Sequence, residues 1–177
     1  YVGDHGWYDK RWMYEESLKM PLVIKWPGNT APGSVNTDLV QNLDYAETFL
    51  QMAGAAIPAD MQGRSLVPLL RGEKVNDWRT SLYYHFYEYP SVHMCPKHDG
   101  VRNERYKLIQ IYEFGEWEFY DLLEDPDELN NVYDDPAYQQ QVAMMKSELE
   151  RLRVLYKDET VTGMRDEAWR AKYRKFK

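Results

Sequence analysis

The chain has 177 residues, 44% of them hydrophobic and 29% charged, which are the proportions of a folded globular protein and leave no sign of disorder. A net charge of −7 argues against any broad attraction to nucleic acid, so an anionic ligand would have to be held by a local cluster of cations. The single cysteine, Cys95, excludes an intrachain disulfide and a thiolate metal cluster, and no apolar run approaches the ~18 residues of a membrane span.

The first element in chain order is a polar loop, Gly3-Asp4-His5-Gly6-Trp7-Tyr8-Asp9-Lys10, with a short helical turn expected near Met13 to Ser17. Lys10 offers a compact cation and the Gly3 and Gly6 backbones allow close approach of a ligand. Pro21 to Trp26 reads as a short buried strand closed by Pro27-Gly28, and Val35 to Val40 as a second. Asp44 is expected to cap a helix with Glu47 as its reciprocal partner, Tyr45, Phe49 and Met52 forming one face and Gly54 the stop. Ser65 to Leu70 gives one further helical turn. This first stretch has α/β character.

The pattern changes near Val75 to Trp78. Leu82 to Tyr87, Gly100 to Asn103, Tyr106 to Tyr112 and Trp117 to Leu122 are aromatic or β-branched runs that predict an antiparallel sheet, with a hairpin turn at Phe114-Gly115-Glu116. Pro136 opens a helix whose Val142, Met145, Leu149, Leu152 and Tyr156 recur at steps of three and four, a stripe expected to lie on the sheet; dimerisation through that stripe is the alternative. The tail from Thr160 onward carries both charge signs and has no assigned role. The expected organisation is therefore 1–75 as one unit and 76–177 as a second, an antiparallel-sheet subdomain with a helix and a tail. The 15 Tyr and six Trp would serve as core and sheet packing or as the lining of a carbohydrate cleft, because flat rings with polar edges suit sugar faces.

The run Gly3-Asp4-His5-Gly6-Trp7-Tyr8-Asp9-Lys10-Arg11-Trp12-Met13-Tyr14-Glu15-Glu16-Ser17, through to Pro27-Gly28, resembles the sulfatases that use a formylglycine nucleophile, within the alkaline-phosphatase-like superfamily. The resemblance continues through Gln41-Asn42-Leu43-Asp44, Gly63-Arg64-Ser65-Leu66, Gly100 to Lys107, and Tyr120-Asp121-Leu122 with Asp125-Pro126 and Asn130-Asn131, and so covers the chain to about residue 156. It implies the C-terminal part of such an enzyme: the end of an alkaline-phosphatase-like α/β sandwich followed by a small antiparallel sheet with a packed helix. The segment around Tyr84 to Ile109 is similar to bacterial sulfatases acting on N-acetylglucosamine or heparin-type saccharides. A sulfated carbohydrate is then the expected partner, a phosphoester is the alternative substrate, and a non-catalytic carbohydrate-binding role is the alternative function. A periplasmic or extracellular setting is implied by the resemblance alone.

By the same resemblance Lys10 is an amine contacting sulfate oxygens near the bridging oxygen, and His5 lines or orients the loop. Ca²⁺ and the formylglycine belong to the family, but Asp4-His5-Gly6 lies too close to Lys10 to be the metal box and matches the second family box. Metal ligands are therefore expected upstream of Tyr1, with none assigned here. Cys95-Pro96-Lys97-His98-Asp99 has proline directly after the cysteine and no arginine in the required place, so Cys95 is not the formylglycine precursor. Without nucleophile and metal the chain alone is expected to be inactive. Three of the four histidines, His85, His93 and His98, fall within fourteen residues, and with Arg102 they mark a candidate substrate-contact segment; His98, Arg102 and His93 are the expected contacts, with a transition-metal site as the alternative. Glu15 and Glu16 are expected to be structural, paired with Lys10, Arg11 or Lys19, and Asp44 to be a cap.

Overall fold

A computed structural model describes residues 1–158, and the tail from Thr160 lies outside the described residues. The chain divides into two compact units, Pro21–Leu82 and a second made of Tyr1–Met20 together with the chain from Tyr83 onward. The motif loop at residues 1–20 belongs to the same compact unit as the later sheet.

In the sheet unit the first helical piece is α1 (Glu15–Leu18), matching the expected turn. Strands β1 (Ser81–Phe86), β2 (His98–Asn103), β3 (Tyr106–Ile111) and β4 (Glu116–Asp121) form one sheet in the order β1-β2-β3-β4, with β2, β3 and β4 antiparallel. The register aligns Val101 with Leu108 and Leu108 with Phe119, and Gly100 with Ile109. Because side chains alternate between the two faces of a strand, one set looks toward a helix and the other toward the loop.

Helix α4 (Gln139–Leu155) covers the first face. Pro136 starts a 3-10 turn just ahead of it, and the Asp135 carboxylate accepts from the Ala137 amide. Val142, Met145, Leu149 and Leu152 are the buried stripe and meet Val101, Leu108 and Phe119, as the helical spacing predicts. Arg153 on the same helix face donates to both carboxylate oxygens of Asp99, at 2.7 and 2.8 Å, and to Gln110 at 2.6 Å. A bidentate guanidinium–carboxylate pair of this kind fixes the helix rotation as well as holding it.

The second face buries Ile109, Ile111 and Tyr120 under Met13 and Tyr14 of the loop. Gly100 is the point of closest approach: a Cβ there would lie 2.4 Å from the Leu108 carbonyl oxygen and 2.5 Å from the Met13 sulfur. Only glycine lets the loop sit down on β2.

The unit 21–82 holds α2 (Asp44–Met52) and α3 (Val67–Leu70), with Leu66, Leu69 and Trp78 as its buried core. Two expectations are corrected here. Pro21 to Trp26 and Val35 to Val40 are not strands: no described strand pairs with either, and Val23 and Val35 are 91% and 88% exposed. Backbone that finds no ladder partner stays irregular. The second correction concerns α2, which buries Asp44, Glu47 and Thr48 and leaves Phe49 exposed. Asp44 makes no N-cap bond within α2. Its carboxylate accepts from the Gln41 and Arg64 amides and from the Arg79 guanidinium, while Glu47 accepts from the Gly63 amide and the Thr48 hydroxyl from the Leu66 amide. Side chains at the start of α2 thus accept from the backbone amides of Gly63, Arg64 and Leu66, and a Cβ at Gly63 would fall 2.2 Å from the Leu43 carbonyl oxygen.

Gly100→Ala is expected to destabilise the protein by about 2–3 kcal/mol or more, since the atoms in the way include backbone. Urea unfolding followed by circular dichroism checks this, and a stability equal to the parent's would show that the loop does not rest on β2.

Candidate functional site

The loop carrying Lys10 is a self-closed turn. The Gly3 amide donates to the Trp7 carbonyl, the Gly6 amide to Gly3 and the Trp7 amide to Asp4, and Val2 and Tyr8 form an isolated antiparallel bridge. Gly3, His5, Gly6 and Asp9 all adopt positive φ, which glycine takes freely and Asp and His tolerate better than bulky residues. The Asp4 carboxylate accepts from the Val2 amide and is held below the usual range by that bond.

Beyond the tip the chain is tied to the sheet residue by residue. The Arg11 carbonyl accepts from the Tyr84 hydroxyl at 2.8 Å. Trp12 stacks on His98 at 5.1 Å, Met13 is fully buried, and the Tyr14 hydroxyl donates to Glu118 at 2.9 Å. Burial raises the Glu118 carboxyl above its ordinary value even though Tyr14 and Tyr120 both donate to it. Glu15 then enters a four-charge cluster. Arg102 donates to both of its oxygens, at 3.2 and 3.1 Å, and the Lys107 ammonium lies 2.9 Å from Glu15 and 2.7 Å from Glu128. Glu128 also accepts from the Glu15 amide at 2.6 Å. Burial alone would raise the Glu15 carboxyl, but Arg102 and Lys107 outweigh it and hold it low; burial wins at Glu128, which is raised.

The expected site residues separate by depth. Lys10 is exposed and makes no hydrogen bond or ion pair among the described residues, while its neighbour Arg11 is matched by Asp9. His93 is exposed as well and, with Arg11 first, holds the Asp9 carboxyl low, so the His93 segment and the Lys10 loop share one electrostatic neighbourhood. His5 stacks on Tyr14 at 4.3 Å and its Nε2 lies 3.4 Å from Glu16, an orienting contact of the loop.

Arg102 is occupied by Glu15. His98 has no exposed surface: Trp12, Tyr84 and Phe86 surround its ring, and its Nδ1 lies 2.9 Å from the Pro96 carbonyl oxygen. Both hold the loop from beneath and neither presents an open face to a ligand in this structure. His85 points to the opposite face, between Asp158 and the Tyr112 hydroxyl, so the three histidines do not converge. The expected partners of Glu15 and Glu16 are replaced by Arg102, Lys107 and His5, although the structural role stands. Cys95 is buried, and burial pushes its thiol up to about 12, as befits an inert thiol.

The sequence reasoning missed Lys107 and Glu128. The signal for Lys107 was present: strand parity puts Lys107 on the face of Ile109 and Ile111, where an ammonium needs buried carboxylates. Glu128 sits at positive φ after the Asp125-Pro126 turn, and nothing local in the sequence marks it.

Comparison with known proteins now bears on this arrangement. A family model described as the C-terminal region of N-sulphoglucosamine sulphohydrolase matches residues 3–155. The chain is 43% identical over 161 residues to the N-acetylglucosamine-6-O-sulfatase of Bacteroides thetaiotaomicron, covering 89% of this chain and 29% of that protein. It is 32% identical over 176 residues to a multifunctional alkaline phosphatase superfamily protein of Trinickia caryophylli, covering 93% and 34% respectively. Among solved structures it matches, with a TM-score of 0.89 and 40% identity, a protein held in complex with its substrate D-glucosamine-2-N,6-O-disulfate, over 93% of this chain and 34% of that one. The chain belongs to the family of sulfatase C-terminal regions typified by N-sulphoglucosamine sulphohydrolase. It spans about a third of the length of these relatives.

His98 gives a pH signature. Burial holds its pKa down at about 4, against 6.5 for the free side chain, so the unfolded chain takes up a proton that the native chain refuses. The stability this contributes is full above pH 6.5 and is lost as pH falls through the window down to about 4, on the order of 3 kcal/mol in all. In unfolding experiments from pH 7.5 to 4.5, His98→Phe should therefore lose less stability than the parent; identical slopes would mean that His98 is not buried neutral.

Proposed function

We propose that this chain is the part of a sulfuric ester hydrolase that presents Lys10 to a sulfated carbohydrate of the glucosamine type. The observation that carries the reading is the depth profile of the loop. Residues 11–15 are fixed to the sheet by an ion cluster, an aromatic stack and a buried methionine, yet Lys10 at the tip is exposed and unmatched. A cation carried beside an anchored segment and left without a hydrogen-bonded acid is suited to an anion that arrives from outside. The substrate class is supported by the relatives, one an N-acetylglucosamine-6-O-sulfatase and another bound to a disulfated glucosamine.

Hydrolysis of a sulfate ester breaks the S–O bond to the sugar, and the departing oxygen needs a proton or a cation as charge builds on it. The Lys10 ammonium supplies that positive charge at the sulfate oxygens and the bridging oxygen. His5, stacked on Tyr14 and tethered to Glu16, orients the turn, and the exposed His93 acts through space on Asp9 of the same loop. Arg102 and His98 act through the loop as positioning residues.

Family membership also implies Ca²⁺ and a formylglycine in the whole enzyme. Among the described residues no group of three or more His, Cys, Asp or Glu side chains could hold a metal, and Asp4 and His5 are engaged with the Val2 amide and Glu16. The residues present do not fit a Ca²⁺ site, and no step here runs through one. Nor does any described helix have the length and apolarity to cross a membrane.

The alkaline-phosphatase-superfamily relative keeps a phosphoesterase as the second reading. In the native gene product, sulfated N-acetylglucosamine should be hydrolysed well and an equivalent phosphate monoester poorly. Lys10→Ala should lower kcat by about 10²–10³ with the melting temperature unchanged, whereas Glu15→Ala should act first on stability by taking the carboxylate from Arg102 and leaving Lys107 with Glu128 alone. A Lys10→Ala enzyme with near-parental kcat would remove Lys10 from the site.

A further inference from the structure

Trp7 is one of two large exposed rings near Lys10 on the loop, 47% exposed and three residues away; the other, Tyr8, is 76% exposed, and no ring stack backs it among the described residues. The Trp7 backbone is fixed at both ends, since its amide donates to Asp4 and its carbonyl accepts from Gly3. Beneath it lies a column of rings. Trp7 rests on Trp12 at 5.6 Å, Trp12 on His98 at 5.1 Å, and His98 against Tyr84 and Phe86 at 5.6 Å each. The column ends on the sheet, and its middle member has no exposed surface. Such backing supports the indole from the side of Trp12 while the residue stays 47% exposed.

We propose that the outer face of Trp7 is a stacking platform for a pyranose ring of the glycan whose sulfate group meets Lys10. This rests on the sulfated-carbohydrate reading and assigns it a saccharide-binding residue. The chemistry matches on both counts. A pyranose turns a face of C–H groups toward an aromatic ring while its hydroxyl rim stays wet, and the loop of Trp7 offers both kinds of contact, the polar Asp4, Asp9 and Lys10 beside the exposed Tyr8 and Val2. The platform also helps with a charge problem. The chain carries −7 overall, so a sulfated saccharide is repelled at long range and gains from an uncharged contact beside the local cation.

The experiment compares Trp7→Ala and Trp7→Phe with the parent in the native gene product, on sulfated N-acetylglucosamine and on a short alkyl sulfate that has no ring. The proposal expects KM for the saccharide to rise about tenfold in Trp7→Ala, kcat to stay within about twofold of the parent, and Trp7→Phe to recover most of the affinity. Kinetics on the alkyl sulfate should not change. An unaltered saccharide KM in Trp7→Ala overturns the proposal, and so does an equal loss on both substrates, which would mark Trp7 as a support of the loop. A third arm needs no turnover: saturation-transfer NMR with unsulfated N-acetylglucosamine should show ring protons contacting the parent and not Trp7→Ala. A protein that hydrolyses no sulfate ester but passes this arm would sink the sulfatase reading and keep the platform. Contact that survives in Trp7→Ala would sink the platform alone. Should Trp7→Ala fail to fold, Trp7→Leu replaces it, keeping apolar bulk without the flat face.

Discussion

An ammonium group with no exposed surface must be matched by charge where it lies, and Lys107 is matched by Glu15 and Glu128. With Arg102 the cluster holds two cations and two carboxylates, so it closes without net charge. Each member comes from a different piece of chain: Arg102 from β2, Lys107 from β3, Glu128 from the turn after β4, and Glu15 from the loop. The cluster therefore does what an apolar contact of equal size does not do, since it specifies which residue of the loop sits over which strand. Displacing Glu15 would leave Lys107 with one carboxylate in place of two.

That constraint gives the sheet two unlike faces. Toward α4 the contact is mostly apolar, with the Arg153–Asp99 pair setting the helix rotation. Toward the loop it mixes aromatic rings, a fully buried methionine, and the ion cluster. Helix packing of the first kind is generic, and many sequences satisfy it. The second kind is demanding, because Gly100 must lack a side chain for Met13 to fit and His98 must stay neutral between its rings. The demanding face is the one that carries the candidate site, as expected where geometry has to be held closely.

The same contrast explains what could be read from the residues alone. The α4 stripe, the strand runs and the turn at Phe114–Glu116 follow from local periodicity and turn chemistry, and the structure reproduces them. Lys10 and its loop stood out through a motif. The depth of His98 and Arg102 was less visible, because three histidines within fourteen residues look like a cluster when strand parity is ignored. Counting in twos from Gly100 puts His98 and Arg102 under the loop and separates them from the helix-facing Asp99 and Val101. In the unit 21–82, apolar runs suggest strands although no described strand pairs with them, and the apolar side of α2 is the conspicuous one in sequence although its acids do the binding.

The charges of the loop distinguish holding from offering. Arginine suits permanent pairing, since its planar fork meets a carboxylate with two bonds, and Arg11, Arg102, Arg105 and Arg153 are each matched to an acid. Lysine carries a compact charge on a flexible stem and can be used either way. At position 107 it is enclosed and serves the fold, while at position 10 it stands on the surface, unmatched among the described residues. In a chain with seven surplus negative charges, the neighbouring carboxylate Asp9 is hydrogen-bonded to Arg11, and Lys10 acts on it only through space and after Arg11 and His93. The Asp9–Arg11 pair thus engages the nearest acid and leaves the Lys10 ammonium without a hydrogen-bonded carboxylate among the described residues.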